Sequence, residues 1–182
     1  MTDTQWPRYE VFKQDRPDQP HRSIGTVHAP DAEMALLNAR DVFVRRPICH
    51  SMWVVREDAI FSKTAEELEL DDSWQRDAVP AGAPSETYYV FQKQSQRRSM
   101  SFVFHVGEVE AQSPVQAMKK AMAAFTEGDP IVWWVCPESA IVRSQEDDIE
   151  SMFAPVHNKV YRMPNQYRTV SAMQKIKRGD KR

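Results

Sequence analysis

Glycine is scarce in this chain, with 5 among 182 residues, and Gly25, Gly82, Gly107, Gly128 and Gly179 stand far apart. That dispersal excludes a dinucleotide fingerprint or a phosphate loop, where glycines must cluster so that backbone amides can approach the phosphate. Cysteine is scarcer still. Cys49 and Cys136 cannot supply a disulfide framework, and such low usage suits a reducing compartment. Neither sign of charge dominates, since 24 Lys and Arg stand against 26 Asp and Glu for a net charge of -2. A general nucleic-acid binder, which needs a positive field to displace counterions, is therefore not expected. No apolar run approaches the roughly 18 residues of a membrane span, and the first residues are too polar for a secretory signal. The expected address is the cytoplasm, without a membrane partner.

Catalytic spacings are missing too. A di-iron bundle site needs a Glu with a His three residues later, so that carboxylate and imidazole meet the metal one helical turn apart. No Glu here has one. His21, His28, His50, His105 and His157 are scattered, and neither Cys-x-x-Cys, His-Glu-x-x-His nor Gly-x-Ser-x-Gly occurs. The expectation is a chain with no metal, no cofactor and no catalytic residues of its own.

What is present is an internal repeat. Tyr9-Glu10-Val11-Phe12 returns as Tyr88-Tyr89-Val90-Phe91, and Gly25-Thr26-Val27-His28-Ala29 as Gly107-Glu108-Val109-Glu110-Ala111. Ala35, Leu36, Ala39 and Phe43 align with Ala117, Met118, Ala121 and Phe125, and Trp53-Val54 with Trp134-Val135. Two copies are too few for a solenoid, so a two-unit pseudo-symmetric arrangement is expected. With 41% hydrophobic and 27% charged residues the whole should fold as a globular protein.

Each copy reads strand, strand, helix, strand. Tyr9–Lys13 and about Arg22–Ala29 form the first two strands of copy one, joined across the breaker-rich Asp15–Pro20. In copy two Gln94–Ser99 makes the connection, and the alternation across Phe102–Ala111 predicts a strand covered on both faces. Ser113, Pro114 and Gln116 form a capping box that opens a helix, which Gly128 stops. Asp31 caps the first helix and Pro47 ends it after Arg45-Arg46. Ala35, Ala39, Val42 and Ala117, Ala121, Ala124 give each helix a small-residue stripe for close packing on a sheet. Met52–Arg56 and Val132–Cys136 are the third strands. The predicted class is α+β: two tandem β-β-α-β units forming a mixed sheet covered by helices, with a right-handed crossover in each, and an irregular C-terminal tail. The units span 1–63 and 85–150. Residues 64–84 form an acidic, then Pro-Ala linker, and 151–182 a tail with a basic, frayed end.

Cys49 beside His50 reads as a small buried or turn cysteine. His21-Arg22 and His28 flank one strand and read as interface residues. Arg45-Arg46 suits a helix end or a grip on a partner's carboxylates. Trp6 and Trp74 lie outside the repeated elements, where solvent-reaching aromatics anchor protein contacts.

Trp6-Pro7-Arg8-Tyr9-Glu10-Val11-Phe12, His21-Arg22 through Gly25 to His28-Ala29, Met34-Ala35-Leu36 with Asn38-Ala39-Arg40-Asp41 and Arg45-Arg46, and Ser51-Met52-Trp53-Val54-Val55 together resemble the PaaB family. Lys159-Val160-Tyr161-Arg162-Met163-Pro164 resembles that family's closing motif. The family supplies the B subunit of the bacterial phenylacetyl-CoA 1,2-epoxidase, an oxygenase of aerobic phenylacetate degradation. The resemblance implies a non-catalytic subunit without a cofactor. It would bridge pairs of a di-iron A subunit and a C subunit, with a reductase engaged indirectly. Family members are typically about half as long, so the second copy implies a fused form in which one chain replaces a homodimer. Trp6, His21, Arg22, His28, Arg45, Arg46, Tyr161 and Arg162 are the implied partner contacts. The rival readings are an acyl-CoA-binding enzyme or sensor with a cleft between the units, and a bridging subunit of a related aryl-CoA oxygenase.

Overall fold

Asp31 and Ser113 both do what their place before an apolar-periodic run predicts. The Asp31 carboxylate accepts the Met34 amide at 2.8 Å and the Ser113 hydroxyl accepts the Gln116 amide at 3.1 Å, satisfying donors that the first helical turn leaves free. The Gln116 side chain reaches one residue past the cap, to the Gln112 amide at 2.7 Å. The computed structural model describes residues 5–44, 49–70, 74–75, 84–94, 103–147, 149–154, 173–174 and 176–177. Along the chain run β1 (Arg8–Gln14), β2 (Arg22–His28), α1 (Ala32–Phe43), β3 (Ser51–Arg56), β4 (Phe61–Thr64) and α2 (Ala65–Leu70). They are followed by β5 (Glu86–Lys93), β6 (Phe104–Ala111), α3 (Pro114–Ala124), β7 (Val132–Pro137), β8 (Ile141–Arg143) and α4 (Ile149–Phe153). The acidic segment after β4 thus contains a helix, α2, whose Leu68 is buried. The closing motif, Gln94–Ser99 beyond Gln94 and most of the 64–84 stretch after Leu70 lie outside the described residues.

The strands form one sheet in the order β4-β7-β5-β6-β2-β1-β3-β8. Every pairing among the described residues is antiparallel, which corrects the expectation of a mixed sheet. The helix does carry the chain from β2 to β3 in a common direction, but β1 lies between them and pairs with both. Strands linked by a helix need not be neighbours, and here a hairpin strand separates them. β5 does the same between β6 and β7.

Closure follows from the last strand of each half. β3 passes through a 3₁₀ turn at Glu57–Ala59 into β4, and β7 through one at Glu138–Ala140 into β8. β3 pairs with β8 while β4 pairs with β7. The two ends of the strand order are therefore continuations of strands on the opposite side, so the sheet wraps round on itself. Ring packing requires the same curl. Phe12 of β1 and Phe91 of β5 stack with centroids 4.3 Å apart, although β2 and β6 stand between them, which in a flat sheet is about three spacings of 4.8 Å.

The curl divides the core into an interior and two outer layers. Inside lie Phe12, Trp53, Val55, Tyr89, Phe91, Val103, Cys136 and Ile141. Outside, Ala35 and Ala39 of α1 pack with Tyr9, Val11, Met52 and Val54, joined by Met152 and Phe153 of α4. Ala117, Met118 and Ala121 of α3 pack with Tyr88, Val90, Trp133 and Val135, joined by Leu68 of α2. Val42 and Ala124, the expected third members of the alanine stripes, are exposed. Phe104 is also exposed, so β6 is not covered on both faces as the alternation predicted.

At the last turn of each main helix a phenylalanine reaches back over a glycine. An ideal Cβ on Gly25 would meet Phe43 Cζ at 3.0 Å, and one on Gly107 would meet Phe125 Cζ at 2.5 Å. Each glycine directly follows the residue skipped at a register shift, Ile24 or Val106, opposite Val11/Phe12 and Val90/Phe91 on the facing strands, where close approach of backbone favours glycine. Gly107→Ala should lower stability in urea unfolding by about 1–3 kcal/mol, an overpacking cost, and by more than Gly25→Ala. Adding Phe125→Leu to Gly107→Ala should recover part of the loss.

Candidate functional site

The residues read from the sequence as partner contacts separate into an outer cleft, a buried cluster and positions outside the described residues. The cleft forms where β1 begins, β2 ends and the Glu57–Ala59 turn bends the chain. It encloses about 550 Å³ and is lined by Trp6, Arg8, His28, Arg56, Glu57 and Asp58 among others. Trp6 is 60% exposed. Its carbonyl receives a hydrogen bond from His28 Nδ1 at 2.8 Å. A carbonyl only accepts, so that nitrogen carries the proton and the tautomer is set. Arg8 is ion-paired with Glu57, and Arg56 with Asp58 at 2.9 Å. These exposed pairs contribute little to stability, but they hold two guanidinium groups beside the indole. An exposed Trp flanked by Arg is the composition of protein-contact anchors. The structure thus brings Trp6 and His28 together, and adds Arg56, Glu57 and Asp58, which carried no motif.

His21 belongs elsewhere, correcting its reading as a residue outside the core. It is 7% exposed, stacks on Trp53 with centroids 3.4 Å apart and lies 3.1 Å from the Ser51 hydroxyl. Register explains this: the curl of the sheet turns the start of β2 inward. Its neighbour Arg22 points differently and binds the Asp15 carboxylate at 2.5 Å, so it braces the β1–β2 connection. Trp74 also departs from the reading. It packs on the α3 outer layer with Lys119 Nζ 6.0 Å over its ring. Arg45, Arg46, Tyr161 and Arg162 lie outside the described residues.

Around His21 the sheet interior gathers a set of polar groups that sequence reasoning missed. His105 stacks on Tyr89 at 5.0 Å and meets Trp53 edge-on at 5.5 Å. The Arg143 guanidinium lies 5.4 Å from the Trp53 ring and 5.1 Å from that of Tyr89, and it holds Glu138 at 2.9 Å. Burial pushes His21 down to about 3, with His105, Arg143 and His50 adding to the effect. Burial also lowers His105, against the opposing pull of Glu108. One signal was available: Phe12 faces Ser23 across its hairpin, whereas Phe91 faces His105. Glu10 bonds the Ser23 hydroxyl on the first side, and burial raises its carboxyl. The difference between aligned residues marked an asymmetric interior.

Among the described residues no three His, Cys, Asp or Glu side chains gather to hold a metal ion. None of the described helices is long and apolar enough to cross a membrane. Burial pushes the thiols of Cys49 and Cys136 up to about 12, so neither offers a thiolate nucleophile near neutrality.

Fold and surface together define an α+β protein with a curled antiparallel sheet, a closed aromatic interior and a tryptophan-arginine cleft on the outside. The family described as Phenylacetic acid degradation B, PaaB, matches residues 5–76 and 85–174, and the chain belongs to that family. A relative from Escherichia coli (strain K12), the B subunit of 1,2-phenylacetyl-CoA epoxidase, is 43% identical over 67 residues, which cover 37% of this chain and 70% of the relative. No solved structure matches.

The contrast between cleft and interior is measurable. Trp6→Ala should leave unfolding free energy within about 0.5 kcal/mol of the parent, while His21→Ala should cost about 2 kcal/mol or more through lost stacking and packing. Iodoacetamide at pH 8 should label neither Cys49 nor Cys136 in the native chain and both after denaturation, as read by intact mass.

Proposed function

We propose that this chain is a non-catalytic bridging subunit of a phenylacetyl-CoA 1,2-epoxidase in cytoplasmic phenylacetate degradation. It holds the catalytic A subunit and the C subunit in a larger assembly. The observation that carries the reading is the family match on both halves of a chain whose halves share one sheet. We read residues 1–63 and 85–150 as two pseudo-symmetric copies, joined through 64–84 and followed by a tail. Each copy gives its last strand to the other, β4 to β7 and β8 to β3. On this reading one fused chain replaces a homodimer, and fusion makes the association of the copies intramolecular.

Trp6 with Arg8 and His28 serves as the anchor for a partner, since the cleft is exposed and its ion pairs already orient the arginines. The absence of catalytic spacings in the sequence supports the division of labour in which iron chemistry belongs to another subunit. Size-exclusion chromatography with light scattering should show the chain joining A and C subunits into a heavier complex, with metal analysis giving no more iron than the A subunit supplies. Trp6→Ala should weaken that joining by at least about tenfold with an unchanged melting temperature. A chain that stays alone beside A and C, or that binds phenylacetyl-CoA tightly by itself, would overturn the bridging role.

A further inference from the structure

The curled sheet has two lines along which its halves meet, and they are unequal. On one side β3 and β4 join β8 and β7 through Trp53, Val54 and Val55 and through Phe61 to Thr64. On the other, among the described residues, β2 and β6 share a single registered pair, Arg22 with Phe104. The Ser23 amide on the Val103 carbonyl at 2.8 Å and the His105 amide on the His21 carbonyl at 2.9 Å complete that line. Its inner side is covered by the stack of His21, Trp53, His105 and Tyr89.

Both imidazoles therefore stand at the thinner joint, one on each side of it and linked through their own backbone. The charged and titratable groups facing them come from several elements. His50 precedes β3, Tyr89 lies on β5, Glu108 on β6, Arg143 on β8 and Glu138 in the turn before it. Glu138 is held by Arg143, so of these carboxylates only Glu108 remains to attract a proton to His105. Around His21 the neighbouring charges that act on it are those of His105, Arg143 and His50, and all three oppose protonation.

We propose that the β2–β6 line is an acid-operated joint: when His21 and His105 take up protons the sheet parts there, and the β3–β8 and β4–β7 pairings act as the hinge. Two imidazolium ions beside the Arg143 guanidinium repel one another in a largely buried site, and opening returns each to solvent. Linkage sets the direction. A histidine depressed in the closed state binds its proton preferentially in the open one, so closure is favoured above the free value and lost as pH falls below it. With a free value of 6.5 and a closed-state value of about 3, release of His21 to water favours opening by about tenfold between pH 7.5 and 5.5, and His105, also lowered by burial, acts in the same direction.

Hydrogen exchange on the full chain tests this through amides on either side of the line. Protection of Ser23 and His105, corrected for intrinsic rates and divided by that of Val54 and Val135, should fall about tenfold or more from pH 7.5 to 5.5. In the His21→Phe, His105→Phe double variant the ratio should not change with pH. A constant ratio in the parent, or an equal fall in the double variant, would overturn the proposal. Should the double variant not fold, imidazole NMR titration of the parent decides. His21 remaining neutral at pH 5.5 while Ser23 and His105 lose protection supports the joint, and ordinary titration of His21 near pH 6.5 with protection intact overturns it.

Discussion

The whole architecture depends on the need of a strand edge for a partner. An antiparallel sheet that ended at β3 and at β7 would leave rows of unpaired amides and carbonyls, which invite other chains. Here the chain turns through three residues after each of these strands and supplies the missing partner on the far side. That exchange closes the sheet, and closure creates an interior. Neither half has a complete set of neighbours without the other, so the two share one cooperative structure.

Closure also decides what kind of core the protein has. The helices pack outside on alanines, where Ala35, Ala39, Ala117 and Ala121 let them sit close to the strands. The interior is filled by rings, Phe12 against Phe91 and Trp134 edge-on to Phe12. Ring faces accept cations and stack with imidazoles, which is how His21, His105 and Arg143 are held among aromatic residues. The same burial that lets them stack removes their charge-stabilising water and depresses both histidines.

The two halves differ in chemistry. Glu10 with Ser23 occupies the place on one hairpin that Tyr89 with His105 occupies on the other. Outside, the start of β1 carries Trp6, Arg8 and His28 in an open cleft, whereas at the start of β5 Glu110 accepts hydrogen bonds from Thr87 and Ser85. One half presents an indole beside two arginine-carboxylate ion pairs and the other a surface of hydroxyls and carboxylates. The asymmetry gives the two halves chemically different outer faces on one sheet.

Much of the local structure was legible in residues 1–150. Caps at Asp31 and Ser113 and the hairpin strands follow from side-chain geometry over a few positions, which sequence order records directly. The site was legible in part: Trp6 and His28 stood out as residues without a core role, and the structure seats them in one cleft. His21 did not, because a histidine next to an arginine looks the same whether its strand curls inward or outward. The sequence by itself determined that β1, β2, α1, β3, β5, β6, α3 and β7 form and where the two main helices begin, since those depend on neighbours within a turn or a pleat. β4, α2, β8 and α4 were not legible, and α1 and α3 end at Phe43 and Ala124, ahead of Pro47 and Gly128. Only the tertiary structure decided that β1 separates β2 from β3, that β4 and β8 change sides, and that two distant histidines meet beside Arg143. Those are contacts between residues far apart in the chain, and their energy comes from a closure that no short window contains.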